Sequence, residues 1–173
     1  MITSSKDQES IVAWFSGRLP AAWTARAPKI TADRDEITIV VSLEPIELGD
    51  DAGEAQRAEA TAGRISGWRE ETRQERMAVA REAEARFERK VSWGATIGDQ
   101  SVLFTHLAVP VMTRLRQPQR RVLDTLVGSG VARSRADALS WCVRLVGQHS
   151  EDWLAELQSA MENVKAVREQ GPT

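Results

Sequence analysis

Apolar positions along the chain repeat with two different periods, and the changes between them mark out the elements. In SKDQESIVAWFSG (residues 5–17), Ile11, Val12, Trp14 and Phe15 fall on one side behind a polar start, which predicts a short amphipathic helix ending at Gly17. RLPAAWTARAP then reads as loop. KITADRDEITIVVSL carries β-branched residues on either side of the polar turn ADRDE and predicts a hairpin with strands near 29–33 and 36–43.

EPIELGDDAGE, with Pro45 and Gly49, breaks the pattern as an acidic loop. From 54 to 88 the period turns helical, with Ile65, Trp68, Thr72, Val79, Ala83 and Phe87 recurring among many Arg and Glu. Gly63 and Gly67 leave open two helices with a bend near 63–67, since each glycine costs about 1 kcal/mol relative to alanine. KVSWGATIG and QSVLFTHL read as two strands joined around Gly98 and Asp99. The order helix, hairpin, long helix, hairpin predicts an α+β domain over residues 1–107.

From residue 108 the text changes. VMTRL reads as a short strand, and QPQRRVLDTLVGSG as a helix opened by Pro118 and closed by Gly128 or Gly130. Ser134 is placed to cap a second helix, with Asp137 three residues on as in a capping box. Val122, Leu123, Leu126 and Val127 make an apolar face on the first of these helices, and Leu139, Cys142, Val143 and Val146 on the second. SEDWLAELQSAMENVKAVRE adds a C-terminal helix with Trp153, Leu157, Met161 and Val164 at helical spacing. A lone strand and two short helices cannot bury such faces or satisfy the strand's backbone, so residues 108–173 are expected to need a second copy.

Composition narrows the class. An apolar content of 42% with 28% charged residues suits a globular chain rather than a disordered one. No apolar run is long enough to span a bilayer and MITSSKDQES has no signal core, so no membrane role and a cytoplasmic location are expected. Arginine outnumbers lysine 19 to 4, a composition suggesting a GC-rich bacterial genome. Net charge is -2, yet residues 110–149 hold seven arginines (114, 116, 120, 121, 133, 135, 144) against Asp124 and Asp137, which gives +5. Charge gathered on one segment is the footprint of a polyanion binder.

TRL, then LDTL, then a glycine turn, then RSRADAL stand at the spacing of the ribbon-helix-helix family of Arc, MetJ and CopG type, which residues 109–150 resemble. The resemblance implies a homodimer whose paired strands enter the major groove of double-stranded DNA. Val111, Thr113 and Leu115 would then point inward and share a dimer core with Leu123, Leu126, Leu139 and Val143, while Pro110, Met112 and Arg114 point outward. Arg114 would contact bases, with Met112 and Arg116 beside it, and Arg133, Ser134 and Arg135 would seat a phosphate at the start of the second helix. Pro110 and Met112 depart from the polar readers common in the family, and the module lies at the carboxyl end rather than the amino end.

Other groups suggest less. Cys142 has no cysteine or histidine at metal-ligand spacing, His106 and His149 have no adjacent acid or nucleophile, and Glu44, Glu47, Asp50, Asp51 and Glu54 match no calcium loop. No catalytic residue, metal or cofactor is therefore expected. The six tryptophans (14, 23, 68, 93, 141, 153) read mostly as core, with AWFSGRLPAAW open as a groove for a small ligand or a protein partner. The expectation is a DNA-binding transcriptional regulator. The alternative is an interaction protein that uses the module only to dimerise and docks a protein or ribonucleoprotein.

Overall fold

The computed structural model describes residues 5–49 and 52–170, so Asp50 and Asp51 of the acidic cluster lie outside the described residues. The chain is α+β and divides into two compact units, Met1–Pro110 and Val111–Thr173. The division falls three residues beyond the expected one.

In the first unit, β1 (Lys29–Ala32), β2 (Glu36–Ser42), β3 (Lys90–Ile97) and β4 (Gln100–Leu103) form one sheet in the order β1-β2-β3-β4. The β1/β2 and β3/β4 pairs are antiparallel, and β2/β3 is parallel, with Ile39 opposite Trp93. The β1–β2 turn is fixed by Asp33, whose Oδ1 accepts the N–H of Asp35 and of Glu36, both at 2.8 Å. Along β2 every second residue is buried, and the register puts Ile37, Ile39 and Val41 on one face with Val91, Trp93 and Ala95. That face meets Ile11 and Phe15 of α1 (Ser5–Arg18), Ile65 and Trp68 of α3 (Glu54–Glu71), and Val79 and Ala83 of α4 (Arg73–Phe87) in a single hydrophobic core. The free edge of β1 is covered by Gln8 of α1, whose side-chain amide donates to the Ile30 carbonyl and accepts from the Ala32 N–H at 2.9 and 3.1 Å. β3 and β4 approach closely at Gly94, where a Cβ would lie 2.8 Å from the Val102 carbonyl oxygen.

Three expectations for this unit are corrected. The segment read as loop contains a helical turn, α2 (Ala21–Thr24), because Trp23 packs edge-on against Trp68 and Trp93 and draws the backbone inward. Trp23 is buried and Trp14 packs against Phe15 and Phe87, so AWFSGRLPAAW contributes to the core instead of lining a groove. The long helix is interrupted at Thr72, not at 63–67, because Gly63 and Gly67 continue the helix with open space around them. Val12 also turns outward from its neighbours Ile11 and Phe15.

The second unit contains α5 (Gln117–Gly128), α6 (Arg135–His149) and α7 (Glu151–Gln170). Gly130, at φ +78°, reverses the chain after α5, and the Leu126 carbonyl accepts the N–H groups of Val131 and Ala132. That turn brings Ala132 into a small core with Leu123 and Ala138, backed by Leu115, Leu126, Val127, Leu139 and Cys142. The strand expected at VMTRL is not formed within one chain: among the described residues the four strands all lie in the first unit's sheet, and residues 111–115 are in none of them.

Candidate nucleic-acid interface

The second unit starts with an exposed segment held at its far end. The Arg120 guanidinium donates to the Leu115 carbonyl at 2.7 Å, tying the first turn of α5 back to the residues before it. The Arg116 N–H donates to Gln119 Oε1 at 2.8 Å, which caps α5 from within its first turn. Beyond Leu115, which is half-buried, the segment is open on both sides: Val111 and Met112 are 86% and 97% exposed, and Thr113 and Arg114 are exposed too. The inward and outward sides expected of this segment are thus not distinguished within a single chain.

The remaining dimer-core expectations divide. Leu123 is buried, Leu126 and Leu139 are half-buried, and Val143 is 65% exposed. Val122, Val146, Trp153, Leu157, Met161 and Val164 are also exposed, so the apolar faces of α5, α6 and α7 extend well past what three buried side chains cover.

At the start of α6, Ser134 Oγ accepts the Asp137 N–H at 3.2 Å, and Asp137 Oδ2 accepts the Arg133 N–H at 2.9 Å. The Ser134 cap read from sequence is present. The aspartate has a further effect, because its carboxylate stands at the positive end of the helix, where an incoming phosphate would have to share the dipole. Arg133 projects into solvent, its side chain 96% exposed. Arg135 is engaged elsewhere: its Nε and Nη2 form a two-pronged pair with the Asp124 carboxylate of α5 at 2.6 and 2.8 Å. Hydrogen bonding from Arg135 holds the Asp124 carboxyl below its ordinary range, and the same bond raises the Arg135 guanidinium. In the sequence Asp124 registers only as one negative charge among seven arginines. Eleven residues separate it from Arg135, and only the Gly130 reversal brings the two helices face to face.

The structure therefore gathers Met112, Arg114 and Arg116 on one exposed stretch and leaves Arg133 exposed beside Ser134 with only a long 3.9 Å ion pair to Asp137, while committing Arg135 to an internal pair with Asp124. Arg121 and Arg144 are exposed as well. Cys142 is a half-buried free thiol against the small core, and His106 and His149 are exposed. Among the described residues no three His, Cys, Asp or Glu side chains are grouped to hold a metal, and no helix is long and apolar enough to cross a membrane.

Comparison with known proteins divides the chain in the same two parts. Residues 9–103 match the family described as the Rv1265-like protein N-terminal domain, and residues 116–168 match the Mb1296 C-terminal domain. Proteins of Mycobacterium bovis (Mb1296) and of Mycobacterium tuberculosis (Rv1265 in strain H37Rv) are each 52% identical over 166 residues, which is 96% of this chain and 72% of theirs. No solved structure matches the chain. With more than half its length matched by the first domain and nearly all of it aligned to these mycobacterial proteins, the chain belongs to the Rv1265-like family.

Proposed function

We propose that the chain is a homodimeric duplex-DNA-binding protein, a bacterial transcriptional regulator, whose second unit completes a ribbon-helix-helix arrangement when two copies pair residues 111–115. The observation that supports this most is the state of that segment in one chain: outside any helix or strand, and exposing Val111 and Met112 next to Arg114. Water is a poor environment for two such side chains, and a second strand would satisfy the backbone and cover one side at once. Pairing would bring two copies of Arg114 and Arg116 to one surface, where a guanidinium can donate twice to guanine O6 and N7. Arg133 would add a phosphate contact beside the Ser134 cap. The first unit would sense a small ligand or hold a protein partner.

Duplex binding followed by fluorescence anisotropy at several salt concentrations tests the reading. Affinity is expected to fall by about 10³-fold or more between 50 and 200 mM salt, as several phosphate contacts would require. Arg114→Ala should weaken a preferred site more than random duplex, by about 1–3 kcal/mol, whereas Arg133→Ala should weaken both alike. Absent or salt-insensitive binding would remove the proposal.

A second reading keeps the dimer without the DNA. It is favoured by the commitment of Arg135 to Asp124 and by the Asp137 carboxylate at the start of α6, both of which make that helix end less welcoming to phosphate. Partners captured by the full chain that persist after nuclease treatment would support it.

A further inference from the structure

At the junction of α3 and α4 the first unit buries a cation without a counterion. Arg76 is only 7% exposed, and its guanidinium lies over the rings of Trp68 and Phe104, at 5.6 and 5.1 Å from their centroids. Its Nε donates to Thr72 Oγ1 at 3.0 Å and its Nη2 to the Arg69 carbonyl at 2.5 Å. Both acceptors are neutral, so the positive charge is unmatched. Arg69 lies over the same Phe104 ring at 5.5 Å, and Arg73 is near enough to disfavour the charge on Arg76. Burial, with Arg69 and Arg73 adding like charge, pushes the Arg76 guanidinium below its ordinary value, opposed only by Glu70. Among the described residues none of the three arginines is paired with a carboxylate.

Residues 69, 73 and 76 are spaced i, i+4 and i+7, so they share one face of the helical run that bends at Thr72. Like charge from the exposed Arg69 and Arg73 adds to the buried Arg76, with only Glu70 opposing it, so the cluster keeps a net positive charge that an anion would balance. Arg76 is also pre-oriented by its bonds to Thr72 and Arg69, which reduces the ordering needed on binding. Guanidinium donors at this spacing suit the tetrahedral oxygens of a phosphate, which take two-pronged bonds from arginine.

We propose that Arg69 and Arg76, both over the Phe104 ring, form with Arg73 on the same helical face a binding site for a phosphate oxyanion. The phosphate belongs either to a small phosphorylated molecule or to a nucleic-acid backbone; the site chemistry is shared. The site is separate from the arginines of the second unit, and it stands or falls independently of DNA binding there.

Titration calorimetry of the full chain with inorganic pyrophosphate, at constant ionic strength balanced with chloride, tests it. Saturable binding is expected. Arg69→Gln with Arg73→Gln, both exposed side chains outside the core, should weaken it by about tenfold or more, as loss of charge-assisted bonds implies. Arg114→Ala with Arg133→Ala in the second unit should leave it unchanged. If the double variant in the first unit does not unfold cooperatively like the parent, Arg73→Gln alone replaces it with the same expected direction. No saturable binding, equal binding by the first-unit variant, or loss only in the second-unit variant would each overturn the site. In the Arg114→Ala/Arg133→Ala background, displacement of pyrophosphate by a short duplex assigns the phosphate to a nucleic-acid backbone, and failure to displace it assigns a small phosphorylated molecule.

Discussion

The two units handle apolar surface in opposite ways. Among the described residues the first unit buries seventeen hydrophobic side chains in one core, from Ile11 and Phe15 through the sheet to Val79 and Ala83. The second buries three, Leu123, Ala132 and Ala138, and leaves Val111, Met112, Val122, Val143, Val146, Trp153, Met161 and Val164 exposed. Both have clear amphipathic patterns in sequence. The difference lies in layers: the first unit has a sheet for its helices to cover, whereas among the described residues the second has helices and a segment that belongs to no sheet. A hydrophobic pattern states how much surface wants cover and not whether the same chain provides it.

The largest expected effect comes from the well-covered side. Ile39 is fully buried at the centre of the sheet, and Ile39→Ala is expected to cost about 2–5 kcal/mol, read by chemical denaturation as a lower midpoint at unchanged slope. Val143→Ala removes a side chain that is 65% exposed in the single chain, and it should leave the first unit's transition where it was. A comparable loss from both would break the contrast between the units.

Gly94→Ala is next. The added methyl would meet the Val102 carbonyl oxygen at 2.8 Å and Leu103 Cδ2 at 2.9 Å, and a backbone oxygen held in a β ladder cannot step aside. A loss of about 1–3 kcal/mol is expected, confined to the unfolding of the first unit. An unchanged midpoint would show that β4 can separate from β3 at little cost.

Much of the first unit could be read in advance because its signals are local. The alternation in EITIVVS specifies which face of β2 is buried, and Asp33 marks its turn two and three residues before the N–H groups it accepts. What stayed hidden depends on groups distant in sequence. Trp23 forms a helical turn only because Trp68 and Trp93 receive it, and Thr72 marks the helix break where Arg76 reaches back to the Arg69 carbonyl. In the second unit Ser134 and Gly130 were legible as caps and turns, since each acts within a few residues. The engagement of Arg135 was not, because it needs Asp124 on the preceding helix.

If a second copy covers the exposed faces, the second unit's stability depends on protein concentration while the first unit's does not. Val143→Asp should then raise the dimer dissociation constant by about tenfold or more, measured by sedimentation equilibrium, because burying a valine contributes about 1.5 kcal/mol and burying a carboxylate opposes it. A chain that sediments as a monomer at every concentration would leave those faces without a partner and end the dimer reading.

The smallest effect tests how each unit uses a surface ion pair. Arg18 grips Glu82 in the first unit with two bonds of 2.6 Å, as Arg135 grips Asp124 in the second, and in each case the arginine holds the carboxyl below its ordinary range by hydrogen bonding. A depressed carboxyl adds stability that is present above its unfolded pKa, about 3.9 for aspartate and 4.3 for glutamate, and is lost as pH falls through the folded value. Both pairs should therefore be indifferent between pH 5 and 8, start to lose their contribution only below the unfolded values, and open once pH has fallen through the depressed folded ones. Their consequences should differ. Glu82 lies over a large core that holds α1 and α4 without it, whereas Asp124 joins α5 to the start of α6 across only three buried side chains. Relative to its intrinsic rate, amide exchange at the start of α6 should quicken in the parent only as pH falls through the depressed Asp124 value and be quick already at pH 7 in Asp124→Asn, while Glu82→Gln leaves the amides of α4 as protected as before. Equal loosening at both sites would mean that core size does not decide how much a helix relies on its surface pair.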